Sequence, residues 1–308
     1  MNPNHETIPR SGQSDVEEFR ALLAEQGLEH DTFALFWKII LSHYEREGRD
    51  LAWRSTTDPY HILVSEIMLQ QTQVERVTRK YPEFLAAFPI CPDLAKAPLQ
   101  RVLAVWQGMG YNRRAIALHT CAKIVVHKYS GNLPSDVDVL ATLPGIGRAT
   151  ACSIATFAFN LPVVFIETNI RRVFIFFFFD GKDGISDREI LPLVEQALYR
   201  KNPRIWYWAL MDYGSMLKRI VANPNRQSAH YEKQSKFKGS DREIRGMILK
   251  ELLEVGDLYK EELIQKSGTD PVRLKRILCA LIDEGFIVFD SDKIHITGEK
   301  EPCPDHVT

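Results

Sequence analysis

At 308 residues with 45% hydrophobic content, the chain can bury a sizeable core and is long enough for about two domains. A formal net charge of -1 excludes a uniformly basic surface, so any contact with a polyanion must come from charge separated along the chain. The longest apolar run, Val173 to Phe179, is far too short to span a bilayer. The five cysteines (Cys91, Cys121, Cys152, Cys279 and Cys303) are odd in number and include no C-x-x-C pair. No membrane association and a reducing, intracellular setting (cytoplasm or nucleoid) are expected.

Residues 1–30 mix Asn, Pro, Ser, Glu and Gln and read as a flexible tail leading into one helix. From 31 to 222 the pattern is mostly helical. Helix starts are marked by Asp58-Pro59, Pro92-Asp93, Pro134-Ser135 and Ser186-Asp187, where a capping side chain or a first-turn proline deals with orphan N–H groups. In the helix from Pro59, Glu66 follows Ile62 by four residues and Leu63 by three, and precedes Leu69 by three. Helical geometry therefore sets its carboxyl beside apolar neighbours, where desolvation favours the protonated form that a general acid needs. Snorkelling to solvent is the ordinary alternative for a single glutamate.

The run Leu143-Pro-Gly-Ile-Gly-Arg-Ala-Thr-Ala151 pairs two glycines one residue apart with the start of a helix. Gly145 and Gly147 can both take positive φ, Leu143 and Ile146 would pin the hairpin to the core, and the helix end that follows favours an anion. That suits a phosphate backbone, although a plain turn between two helices has the same pattern. Beyond it, Val163-Val-Phe-Ile166 is a buried-looking run ending in Glu167-Thr168-Asn169, so Glu167 stands at or near a helix N-terminus as a second carboxylate or as a cap. One protonated acid and one ionised base form the pair used on glycosidic bonds. The aromatic run Phe174 to Phe179 reads as core helix.

Turn residues from Asn223 open a connector over 223–239. Residues 213–250 hold nine basic residues against three acidic ones, a net positive stretch that supports DNA contact or is simply a solvated face. From 240 to 298 the pattern gives helices at Asp241 to Leu253, Lys260 to Lys266 and Pro271 to Glu284. A hairpin from Gly285 to Thr297 follows, turning at Asp290-Ser-Asp292. Together these form a small winged-helix-like domain before a tail at 299–308. Arg273, Lys275 and Arg276 on its third helix put DNA slightly ahead of protein as its partner.

Seven strings now point one way: Trp53-Arg54, Asp58-Pro-Tyr60, Ser65-Glu-Ile-Met-Leu-Gln-Gln-Thr-Gln73, Trp106-Gln-Gly-Met-Gly-Tyr111, the L-P-G-I-G-R hairpin, Glu167-Thr-Asn-Ile-Arg-Arg172 and Ala209-Leu-Met-Asp-Tyr-Gly214. Over roughly residues 45–217 the chain resembles the helix-hairpin-helix DNA glycosylases and, within them, the adenine DNA glycosylases acting at mispairs. The resemblance implies a mainly α, two-lobed fold, with a six-helix lobe at about 58–162 and a second lobe from 31–57 plus 163–222. It also implies that Glu66 protonates the departing purine, while Glu167 takes the place of an aspartate that stabilises the oxocarbenium-like sugar. Gln71 and Tyr111 match residues that wedge into the duplex as the base is flipped. The wider DNA-facing set is Gln70, Leu143, Gly145, Ile146, Gly147 and Arg148, and the base pocket is Arg49, Leu51, Trp53, Trp208 and Met211.

Four departures accompany the match. Glutamate replaces aspartate at 167, and Trp208 replaces an amide or carboxylate. The family's domain that reads 8-oxoguanine is not recognisable. The four cysteines that ligate an iron-sulfur cluster are missing, since no cysteine lies between Cys152 and Cys279, so no cofactor and a colourless protein are expected. Ala149 stands where strand-cutting relatives carry a Schiff-base lysine, so water is the expected nucleophile. The expected activity is monofunctional removal of a mispaired adenine, opposite guanine or 8-oxoguanine, from double-stranded DNA, with a downstream abasic-site endonuclease as partner. Excision of another base (T:G, U:G, hypoxanthine) and non-catalytic damage binding are the alternatives.

Overall fold

The computed structural model describes residues 10–229, 231, 237–290 and 293–297. In chain order its helices are α1 (Arg10–Gln26), α2 (His30–Glu47), α3 (Pro59–Leu69), α4 (Val74–Ala87), α5 (Cys91–Lys96), α6 (Leu99–Trp106), α7 (Arg113–Tyr129), α8 (Val137–Ala141), α9 (Arg148–Phe159), α10 (Thr168–Phe178), α11 (Asp187–Gln196), α12 (Pro203–Ile220), α13 (Asp241–Val255), α14 (Lys260–Ser267) and α15 (Pro271–Asp283). The strands are β1 (Leu258–Tyr259), β2 (Ile287–Asp290) and β3 (Lys293–Ile296). The protein is mainly α-helical. It divides into two compact units, the first made of 1–58, 135–141 and 147–233, the second of 59–134, 142–146 and 234–308.

In the first unit α12 packs against α2 and α10. Phe174 and Phe177, three apart on α10, share one helix face and bury their rings against Phe36 of α2, with centroids 5.5 and 5.0 Å away. The aromatic run is thus core helix. Phe19 of α1 joins the cluster 5.1 Å from Phe177, and with Val16 it anchors α1 to the core. Gly214 lets α12 meet the start of α10 closely, because a Cβ there would lie 2.4 Å from the Asn169 carbonyl oxygen. Helix α8 begins at Val137, slightly later than Pro134-Ser135 suggests, since Asp136 is the cap and accepts from the amides of Asp138 and Val139 at 2.8 and 2.9 Å. The first part of the connector folds here too. Asn225 is buried and donates to the Thr168 carbonyl at 2.9 Å.

In the second unit α3 packs with α4 and α7, and α5 lies along α7. Phe84, Phe88 and Trp106 fill its centre. The C-terminal part carries α13, α14 and α15 with an antiparallel sheet in the order β1-β3-β2, registered by Ile287 opposite Ile296 and Leu258 opposite Ile294. The three helices and the hairpin follow the sequence pattern. Strand β1 does not, because two residues are too few to show an alternation. The turn at Asp290-Ser-Asp292 falls partly outside the described residues, as do Lys233, Lys236 and Cys303.

Candidate functional site

In the second unit, α3 is apolar on almost every side: Ile62, Leu63, Val64, Ile67 and Met68 are buried, and Glu66 among them is half-buried. The helix ends in a loop whose backbone is tied down by a residue far along the chain. Arg114, buried in the first turn of α7, donates to the carbonyls of Ile67, Met68 and Gln70 at 2.9, 2.8 and 2.6 Å, and to Thr72 Oγ1 at 2.9 Å. The same guanidinium donates to the Gly110 carbonyl at 3.0 Å. It therefore closes the orphan carbonyls of α3 and clasps the 107–112 loop at once. Burial lowers the Arg114 pKa to about 10.

The two loops that Arg114 joins carry the expected wedge residues. Gln71 has φ of 53° and Tyr111 of 48°, and this left-handed backbone is uncommon for either type. Gln71 is exposed and Tyr111 half-buried. Gln70 donates to the Gly145 carbonyl at 3.0 Å, linking α3 to the hairpin. In the hairpin Leu143 and Ile146 are buried, and Gly145 turns at φ of 79° where a Cβ would press on that of Ala117 at 2.8 Å. Gly147 differs from expectation. Its φ is -79° with extended ψ, because it serves as the N-cap of α9 rather than as part of the turn. A Cβ there would meet nothing within 4 Å. Arg148 is exposed and pairs with Asp138.

In the first unit Arg49, of the expected base-pocket set, meets a carboxylate that the sequence reading missed. Asp212, with a side chain 2% exposed, takes two hydrogen bonds from Arg54 at 2.7 and 2.8 Å. Arg49 adds its side chain at 2.6 Å and its backbone amide at 2.8 Å. Burial pushes the Asp212 carboxyl up, but the two arginines outweigh it and hold it below the usual carboxylate range. Trp208 is buried between Phe157, stacked at 5.8 Å, and the Arg54 guanidinium at 5.6 Å from its ring. Leu51 and Trp53 are buried and Met211 is half-buried.

Glu167 is the N-cap of α10. Its Oε1 accepts from the amides of Asn169 and Ile170 at 2.7 and 3.0 Å, and its Oε2 from the Asn169 side chain at 3.3 Å. Burial nonetheless raises its pKa, with the capping amides and the Arg172 charge opposing. Arg172 is fixed by the Gly214 carbonyl at 2.6 Å and by Asn169 Oδ1 at 2.7 Å. Of the α15 cations, Arg273 and Arg276 both bond to Asp241 at 2.8 Å, which weakens the case that they form a free basic face.

A family model described as HhH-GPD superfamily base excision DNA repair protein matches residues 64–196. The adenine DNA glycosylase of Mycolicibacterium smegmatis is 31% identical over 283 residues, covering 85% of this chain and 96% of that one. The chain belongs to the HhH-GPD superfamily of base excision DNA repair proteins. Its homologues place it with the adenine glycosylases of base excision repair. The adenine DNA glycosylase of Mycobacterium tuberculosis is 42% identical over 135 residues, which is 44% of each chain. That of Buchnera aphidicola subsp. Baizongia pistaciae is 40% identical over 191 residues, 60% of this chain and 54% of the relative. The chain thus spans about half the length of these last two. Among solved structures, a thermostable thymine-DNA glycosylase superposes with a TM-score of 0.54 at 25% identity, covering 60% of this chain and 86% of that one.

These relationships correct one expectation. The adenine DNA glycosylase homologues belong to a family known to bind a 4Fe-4S cluster, so the reading of a protein without a cofactor, and of a colourless one, does not stand. The described residues do not fit such a cluster. Among them no group of three or more His, Cys, Asp or Glu could hold a metal, and Cys91, Cys121 and Cys152 are buried free thiols while Cys279 is exposed.

Arg114, Arg54 and Asp212 are the residues that sequence reasoning missed. Arg54 and Asp212 lie inside the strings that carry the family resemblance. Their chemistry could be suspected only from a charged residue set within an apolar helix pattern, as Asp212 is in Ala209-Leu-Met-Asp-Tyr.

Proposed function

We propose that the protein hydrolyses the N-glycosidic bond of adenine mispaired with guanine or 8-oxoguanine, leaving an abasic site for a downstream endonuclease. The observation that carries this reading is Glu66. It is half-buried in a mostly apolar helix, one turn before the Arg114 clasp on the loops in which Gln71 and Tyr111 are left-handed. A carboxyl so placed suits protonation of a leaving purine. Gln71 and Tyr111 are proposed to fill the space of an extruded base, which costs a few kcal/mol to unstack. Glu167, at the N-terminus of α10, would in its ionised form stabilise positive charge on the sugar. Arg49, Leu51, Trp53, Trp208 and Met211 are proposed to shape the base pocket, with Trp208 and Trp53 acting as its buried wall. Gly145, Gly147 and the α9 N-terminus, with Arg148, are proposed to grip a phosphate.

Ala149 offers no amine at the start of α9, so water is the proposed nucleophile and strand cleavage is not expected. The C-terminal helices and sheet are proposed to be a winged-helix-like module. A second reading, excision of thymine opposite guanine, is favoured by the likeness to the thymine-DNA glycosylase structure. Single-turnover assays on duplexes carrying A:8-oxoG, A:G, T:G, U:G and hypoxanthine separate the two. Adenine release that disappears in Glu66→Gln supports the first reading, and release confined to T:G or U:G replaces it with the second. A borohydride-trapped DNA adduct forming as fast as base release would overturn the water mechanism.

A further inference from the structure

Two guanidinium groups lie near the Tyr111 ring. One belongs to the buried Arg114, with its guanidinium carbon 5.5 Å from the ring centroid; Arg242, from the first turn of α13, lies 5.6 Å from the same centroid. Arg242 also donates from Nη1 to the Tyr111 hydroxyl at 2.6 Å. The two residues are 131 positions apart, and the contact is between the C-terminal part of the second unit and the loop before α7.

A second tie lies next to it. Glu284, at the end of α15, accepts from Arg245 of α13 at 3.0 Å and also pairs with Arg113, two residues after Tyr111. Helix α13 packs on α6, which ends just before the same loop. The loop from Trp106 to Arg114 is therefore braced by α3 through Arg114 and by the C-terminal module through Arg242 and Glu284. A half-buried tyrosine hydroxyl at the surface has water within reach, so a charged donor from a distant helix acts chiefly to fix where the ring points. Left-handed backbone at a tyrosine persists only where its surroundings over-determine it.

We infer that Arg242 is a positioning residue for Tyr111, through which the C-terminal module sets the angle at which this side chain enters the duplex and so helps select the base opposite the excised one. This rests on the reading of Tyr111 as a wedge given above. It assigns the module a role other than a generic phosphate contact. A phosphate contact by Arg242 would weaken binding evenly across sequences and flatten the salt slope by about one ion, with the rate at saturating DNA unchanged. Positioning acts on the rate at saturation, on base extrusion and on discrimination.

The test is a double-mutant cycle of Arg242→Gln and Tyr111→Phe in the full-length protein, with Arg242→Lys as the conservative variant. Two readouts are taken at saturating duplex. One is the single-turnover rate on A:8-oxoG and A:G. The other is fluorescence of 2-aminopurine next to the mispair in a Glu66→Gln background, which reports extrusion without chemistry. Each single variant is expected to lower rate and fluorescence gain about ten- to a hundredfold, the worth of one charged hydrogen bond. The double variant is expected to be no worse than either single, Arg242→Lys to recover part of the loss, and the preference between opposing bases to narrow. Multiplicative losses, or a changed salt slope with unchanged saturating rates, would overturn the inference. Coupled fluorescence without any base release would instead defeat the proposed activity and leave the positioning role standing. Circular dichroism of each variant confirms folding.

Discussion

Two carboxylates of the first unit, the buried Asp212 and the half-buried Glu167, differ in the partners that surround them. Asp212 faces two guanidinium groups that bond to it and is held below the usual range, whereas Glu167 faces helix amides, the Asn169 side chain and the more distant charge of Arg172 and is pushed above it. Two hydrogen-bonded guanidinium groups outweigh desolvation at Asp212, and capping amides with the Arg172 charge do not at Glu167. Asp212 thus reads as an ionised pin that orients Arg49 and Arg54, the latter against the Trp208 ring, and Glu167 as a carboxylate whose charge is easily lost. A group that must answer to charge appearing on a sugar is better served by the second environment than by the first.

Breaking the pin should have the largest effect. Asp212→Asn leaves two arginines without their counter-charge, and about 3–5 kcal/mol of stability is expected to go, read as a fall in denaturation midpoint at unchanged slope. Next comes Glu167→Gln, which keeps an acceptor for the α10 amides but removes the charge. Base release is expected to fall about a hundredfold with folding intact, and an unchanged rate would remove Glu167 from the reaction.

The smallest effect separates the two sites by pH. Asp212, depressed in the fold, contributes stability that is complete above its unfolded pKa and is lost as pH falls through its folded value. Glu167, raised in the fold, contributes in the opposite sense, with stability present in acid and lost as pH rises through its folded value. At neutral pH Glu167→Gln should therefore be at least as stable as the parent, with the difference closing in acid. Urea titrations of both variants across the acid range check the two signs. For the same reason, the acid limb of the rate profile is expected above the ordinary glutamate range.

What the sequence revealed was whatever depends on neighbours along the chain. The Pro59 helix with Glu66 inside it, the buried Leu143 and Ile146, the aromatic face of α10 and the C-terminal helices all follow from periodicity and turn chemistry. Glu167 as a helix cap was legible as one of two readings. Contacts between distant segments were not. Arg114 reaches carbonyls 44 to 47 residues away, and Arg49 and Arg54 meet Asp212 across about 160. No local pattern distinguishes such arginines from surface ones. Gly147 was misjudged because the glycine pair suggested one turn, whereas the helix claimed the second glycine as its cap.

The central claim is that Glu66 gives the leaving base its proton, and one comparison tests it most directly: single-turnover release of adenine from A:8-oxoG and A:G duplexes by the parent protein and by Glu66→Gln at equal DNA occupancy. Release by the parent, with a loss of at least about a hundredfold in the variant and unchanged affinity, is the predicted result. Equal rates in the two proteins would contradict it.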